Sequence, residues 1–474
     1  MNKIAIPALT LFVLTVSTLA WLVWPTALDK ALEALESGER QRAIVLLRPL
    51  AGEGDAEAQM VLGRMLGGIE GSNSERARGL EWLRKAARQH HAVAARELGD
   101  RYARGLGAGS SPSRALEWYE RAAIDGDRES VGRIQQWAEK GNPQARYRLG
   151  RMFARGEGAP RSEDEAVRWL RKAAAGGHPK ALADLRAMAE GGAAEAAHRL
   201  GRMYALGEGV AKDRREAVRW YRRGADLGNP RAQFRLGAWH EKEEGDLRNE
   251  AAAASRYRAA ASQGHAEAQF RLALMLKEGR GAPGNSDEAV SWFVKALAGG
   301  QAAAVQNIME FAQAGNLEAQ HQIGRLYFKG KNLPLDDREA VRWWRKAAPR
   351  GHVMAQFDLA YMIAEGQGAV RDPGQAAIWY AKAAASGFSQ AVPLLRNLAQ
   401  RGNANAQYLY GLHLVNGGAA PDREEPRDLI NAVIQWFQAL SADPAHEGGQ
   451  WLRKSAAQGH AGARSLLAKL KLAE

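Results

Sequence analysis

Three kinds of residue recur in this sequence at spacings that chemistry uses. They are paired glycines, histidines that follow a glycine, and arginines that follow a Leu-Gly or Ile-Gly pair. The pairs Gly156 and Gly158, Gly207 and Gly209, and Gly366 and Gly368 resemble phosphate loops at first sight. A dinucleotide fingerprint needs a preceding strand and a third glycine, and a phosphate loop needs Gly-Lys-Ser/Thr. Neither context is present, so the pairs read as helix ends in the left-handed conformation. Of the 11 histidines, His178, His265, His352 and His460 share one slot, which Asn142, Asn229, Asn316 and Asn403 fill elsewhere. Interchange with Asn beside a helix start is turn chemistry. His90 and His91 are adjacent, which points them to different helix faces and makes a poor metal pair. There is no H-E-x-x-H or G-x-S-x-G motif, and no catalytic, cofactor or metal residue is assigned.

The arginines are the better binding candidates. Arg64, Arg151, Arg202 and Arg325 each stand at one position of a repeating block. If they project from one face they form a ladder suited to carboxylates or phosphates. A merely solvated helix face is the plainer reading of the same spacing. Aromatic residues also recur, at Trp82, Trp118, Trp169, Trp220, Trp292, Trp343 and Trp379. One per block at a fixed position argues for packing between helices rather than for stacking on sugars or bases; Trp137 and Trp239 fall outside the slot.

The elements that hold these residues are set by a ruler of glycines. Blocks begin at Gly54, His90, Gly141, Gly192, Gly228, Gly264, Gly315, Gly351 and Gly402, most of them 36 residues long. Shorter units of 15 residues start at Gly126, Gly177, Gly300 and Gly387. Such regularity signifies a repeat solenoid. Each block reads as two helices. The first carries small residues on one face, such as Ala145 with Gly150 and Ala232 with Gly237, which lets a neighbour approach closely. The second opens on Ser162 with Glu165, Asp213 with Glu216, Asn285 with Glu288, Asp336 with Glu339, or Asp372 with Gln375. These pairs predict capping boxes. A basic residue such as Lys85, Lys172 or Lys346 precedes Ala-Ala in the last turn, where a cation complements the helix dipole. Each 15-residue unit has room for one helix, which should change the curvature of the stack.

The block from Gly192 to Ala225, GAAEAAHRLGRMYALGEGVAKDRREAVRWYRRGA, closely resembles the Sel1-like repeat, a relative of the tetratricopeptide repeat. The resemblance covers about residues 50–415 and resumes at Trp451. It implies an all-α, right-handed solenoid of helical hairpins whose first helices line a concave face, usually an adaptor for other macromolecules and often exported in bacteria. It implies no reaction. Residues 28–50 read as an N-terminal capping hairpin and residues 51–415 as the solenoid with single-helix spacers. Residues 416–474 hold an insertion, a last half-repeat and a C-terminal cap. Within the insertion, Arg427–Leu440 is apolar mostly on one helical face and suits either a solenoid cap or a partner-binding helix.

Residues 1–27 stand apart. After Lys3, residues 4–24 carry no charge, and Trp21 and Trp24 close the run. The run is long enough to cross a bilayer, and its positive flank predicts a body outside the cytoplasm. Thr18-Leu19-Ala20 also offers a cleavage site. The expected location is therefore the inner membrane with a periplasmic body, or the periplasm if the signal is removed. The chain has no Cys, which excludes disulfides, thiolate zinc sites and an acylated cysteine. Its 66 basic against 53 acidic side chains give +13, and 49 of the basic residues are Arg. That surplus favours anionic partners. Envelope proteins are the expected partners and acidic glycans the alternative, while export argues against nucleic acid.

Overall fold

A computed structural model describes residues 26–68, 72–242, 249–415 and 446–469. Among these residues the chain forms 25 α-helices, one short 3-10 turn and no strand. It is an all-α solenoid of helical hairpins. The expected membrane segment and the Arg427–Leu440 stretch lie outside the described residues. Among the described residues no helix is long and apolar enough to cross a membrane.

The hairpin of Pro143–Arg155 and Glu163–Ala175 shows how local sequence builds the repeat. Asn142 accepts from the backbone N–H of Ala145 at 2.9 Å, satisfying one orphan donor of the first helix. The helix ends at Gly156 with φ +74. The second glycine of the pair, Gly158, has φ +73, and a Cβ there would meet the Ala123 carbonyl carbon of the preceding repeat at 2.9 Å. The paired glycines are thus consumed by a helix stop and a close inter-repeat approach.

The second helix starts as expected, but its caps are one-sided. Ser162, Asp213, Asn285, Asp336 and Asp372 all accept from the N–H three residues on. The reciprocal arm is missing from all five and is present at Thr26 with Asp29 and at Ser72 with Glu75. At four of them the reason is competition. The N–H groups of Ser162, Asp213, Asp336 and Asp372 already donate to Phe153, Tyr204, Tyr327 and Ile363, closing the loop onto the first helix. The Glu216 carboxylate so freed accepts from the indole N–H of Trp220, and Glu288 accepts from that of Trp292.

Packing inside the hairpin rests on one glycine. A Cβ on Gly201 would sit 2.6 Å from the Tyr221 ring, and one on Gly150 would sit 2.9 Å from Leu170. Gly63 faces Leu83, Gly99 faces Tyr119, Gly237 faces Tyr257 and Gly324 faces Trp344 in the same way. The large side chain one position after the tryptophan slot is the buried knob: Leu83 and Phe293 are fully buried, and Tyr119 and Trp344 nearly so. Ala273 and Ala360 take the glycine position in two blocks. Neighbouring helices are then joined by buried glutamines. Gln59, Gln269, Gln320, Gln356 and Gln407 donate to the carbonyls of Ala51, Ala261, Ala312, Ala348 and Ala399 at 3.0–3.2 Å. Those carbonyls lie in the last turns of their helices and also accept from the glycine N–H three residues on, so each glutamine takes a second lone pair.

Each 15-residue unit forms one helix: Arg128–Glu139, Ala181–Glu190, Ala304–Gln313 and Ala391–Gln400. Each buries a small-large-small stripe, for example Ala181, Leu185 and Ala189, or Ala304, Ile308 and Ala312. A stripe four residues apart needs only one well-packed face. The helices divide into two compact units, residues 1–232 and 233–474. In the first, the core gathers around Leu62 and Leu83, around Tyr119 and Ile134, and around Leu185 and Leu200. In the second it gathers around Leu272 and Phe293, around Trp344 and Tyr380, and around Leu452.

Replacing Gly201 by Val should cost about 1–3 kcal/mol through overpacking against Tyr221, measured by urea unfolding. Gly132 lies in the Arg128–Glu139 helix with nothing within 4 Å of an added Cβ. Gly132→Ala should therefore stabilise by about 0.5–1 kcal/mol. A neutral Gly201→Val would refute the glycine-knob contact.

Candidate functional site

The candidate arginines are placed on separate first helices, and their surroundings differ. Arg64 is half-exposed and pairs with Glu97 of the next repeat at 3.3 Å. Arg151 lies over the Tyr147 ring, 5.7 Å from its centroid. Arg202 pairs with Glu208 at 3.2 Å, and the same carboxylate takes Arg171 at 3.1 Å. Arg325 is partly buried. The first three lie in the first unit and Arg325 in the second.

The histidine slot is a cap. His91, His265, His352 and His460 accept through Nδ1 from the backbone N–H three residues on, at 3.1–3.2 Å. His178 departs from this, because Pro179 and Lys180 delay the following helix; it meets Gln144 at 2.8 Å instead. The slot also packs against an aromatic ring 31 residues earlier. Tyr147 with His178 and Phe234 with His265 have ring centroids 4.0 and 4.7 Å apart. His321 with His352 and Phe357 with Phe388 continue the spacing at 4.7 and 4.9 Å. The fixed interval was the available signal for this ladder in the sequence.

One place in the ladder gathers titratable groups. Ligand-type atoms of Glu318, His321 and His352 lie within 4.8 Å of one another. His352 Nε2 meets Glu318 at 3.0 Å, and His321 Nε2 meets Asp358 at 2.9 Å. The trio has the right residue types for a divalent cation, but the bonding of His352 opposes it. Its Nδ1 accepts from Ala355, so its proton sits on Nε2 and is given to Glu318. A metal on Nε2 would push the proton onto Nδ1 and break the cap. His91 is bound in the same way, Nδ1 to Ala94 and Nε2 to Glu57 at 2.8 Å. The cluster is therefore a version of the capping network. The hydrogen bond from His352 holds the Glu318 carboxyl down at about 2 despite partial burial, with Gln322 helping.

The basic residue before Ala-Ala also has a local use. Lys85, Lys295, Lys346, Lys382 and Lys454 lie 3.8–4.6 Å from the centroid of the slot tryptophan three residues earlier. Cation–π attraction thus adds to the helix-end effect. Two hollows open on the first unit. One, about 470 Å³, is lined by Arg84, Tyr102, Arg114 and Trp118 among others. The second, about 400 Å³, lies between Glu163–Ala175 and Ala194–Leu206 and is rich in cations.

The Sel1 repeat profile matches residues 56–91, 92–127, 143–178, 194–229, 230–265, 266–301, 317–352, 353–388 and 440–460. The chain belongs to the Sel1 repeat family. The last match is the half-repeat displaced by the 416–450 insertion. No curated protein matches the chain. Among solved structures, a Sel1 repeat protein of Oxalobacter formigenes is 27% identical, covering 78% of this chain and 93% of its own, with TM-score 0.28. A protective antigen of uropathogenic Escherichia coli strains displaying an SLR fold is 25% identical, covering 90% and 93%, with TM-score 0.27. An immunity protein of Pseudomonas aeruginosa is 21% identical over 51% of this chain and 81% of its own, with TM-score 0.20.

The lowered pKa of Glu318 carries a sign. Its contribution to stability is full above the ordinary carboxylate range and is lost as pH falls toward about 2. Glu318→Gln should lower the melting temperature at pH 7, and the gap from wild type should close between about pH 4.5 and 2. A gap independent of pH would contradict a cap that depends on the Glu318 carboxylate.

Proposed function

We propose that this chain is a non-catalytic scaffold that recruits or organises partner proteins of a bacterial cell envelope. One observation carries the reading. The residue types that first suggest chemistry are engaged in packing and capping, and the charged helix faces are left as the recognition surface. Gly158 meets the preceding repeat, His352 caps a helix, and Trp343 lies under Lys346. Membership of the Sel1 repeat family, a helical-repeat scaffold, supports a protein partner. Residues 4–24 hold the chain at the inner membrane and place its body in the periplasm. A second reading, acidic-glycan binding in exopolysaccharide or peptidoglycan handling, is favoured by the 49 arginines and the +13 charge.

Affinity capture with the full chain from envelope extract separates them. The scaffold reading expects a stoichiometric protein among the captured material. Glycan retained without protein, and released by salt, would overturn it. Alkaline phosphatase fused after Glu474 should be active, and an inactive, cytoplasmic fusion would refute the periplasmic placement.

A further inference from the structure

The cation-rich hollow of the first unit is built unlike the rest of the array. Five cations line it: Arg168, Arg171, Lys172, Arg199 and Arg231. Against them stand Asp164, Glu165 and Glu195, so the lining keeps an excess of two positive charges. Two of these cations, Lys172 and Arg168, share the Trp169 ring, 4.3 and 5.6 Å from its centroid. Among the described residues no other tryptophan carries two cations. Trp169 is buried, so its ring is a fixed platform for the Lys172 ammonium, while the half-exposed Arg168 beside it also pairs with Glu165 at 3.1 Å. Burial and the nearby Arg168, Arg146 and Arg171 push the Lys172 ammonium below its usual range. The fold holds like charges together here, and an anion relieves that cost.

The opposite wall already recognises a carboxylate. Glu195 takes Arg199 at 2.7 Å, Arg231 at 3.5 Å and the Asn229 amide at 2.8 Å. Despite its partial burial, bonds from His198 and Asn229 keep it ionised, at about 2. One carboxylate of the chain is thus seated by two guanidiniums and an amide, while Lys172 and Arg168 face the hollow from the other side. A volume of about 400 Å³ admits side chains and a short stretch of backbone, but no folded domain.

Resting on the scaffold reading, we propose that this hollow is the anchor for an acidic peptide segment of a partner protein, one presenting two or more closely spaced carboxylates. Carboxylates of the segment bind Lys172 and Arg168 beside the wall that Glu195 and its cations form. Arg171 is tied through Glu208 to Arg202, which carries the basic surface onward along the first helix.

The test is fluorescence anisotropy of labelled decaglutamate with the full chain in detergent. Changing Lys172 and Arg168 together to Gln should weaken binding about fivefold or more. Changing Asp164 to Asn should tighten it, an increase that damaged folding cannot produce. Lys331→Gln, an exposed lysine outside the hollow, should have no effect. Peptide binding unchanged in both pocket variants would overturn the proposal, as would oligogalacturonate binding more tightly than the peptide. Capture repeated with the double variant separates the two levels. Partner protein retained at the wild-type level refutes the hollow as anchor and leaves the scaffold standing. No protein captured by the wild type itself counts against the scaffold.

Discussion

The architecture depends on the closeness that one missing side chain permits. At Gly150, Gly201 and Gly324 the first helix of a hairpin has no Cβ, and Leu170, Tyr221 or Trp344 fills the space. A dispersion contact of this kind is lost within a fraction of an ångström, so the glycine sets how near the two helices lie. Everything outside the contact follows from that spacing. The loop N–H at Ser162 or Asp213 can reach back to Phe153 or Tyr204 because the helices are already close. The second loop glycine can then lean on the previous repeat, and a buried glutamine can find the last carbonyl of its neighbour.

The same economy explains where recognition is left to occur. Histidines that suit a metal are occupied as caps, and tryptophans that suit stacking are half-covered by their own lysines. What remains is charge, distributed by the particular sequence of each repeat rather than by the repeat pattern. Trp169 shows this. Both Arg168 and Lys172 reach its ring, whereas at Trp343, which is flanked by the same pair Arg342 and Lys346, only the lysine does.

The fold was largely legible because period, caps and small residues agree at every level. Ser162, Asp213 and Asp336 announced helix starts, and the 15-residue units announced single helices. The loss of the reciprocal arm at Ser162, Asp213, Asp336 and Asp372 was not legible, since it yields to a loop-closing bond that exists only once the hairpin has formed. The glutamine clasps and the ring ladder were visible as fixed intervals, but their meaning needs the register between helices. The candidate site was legible only in its charge. Arg64 and Arg202 occupy equivalent positions in sequence, yet Glu97 and Glu208, which hold them, come from a neighbouring helix and a loop. The hollow draws on residues from Asp164 to Arg231 across three helices, a combination that no local motif encodes.

A stack built from nearest-neighbour contacts should fail locally. The most direct measurement is hydrogen exchange on a Gly324→Ala variant compared with wild type. Protection should fall in Leu317–Lys329, in Asp337–Ala347 and in the helices beside them, with Ala92–Arg104 and Pro112–Ile124 unchanged. Loss of protection spread evenly over every helix, or none at Gly324's own hairpin, would contradict the account.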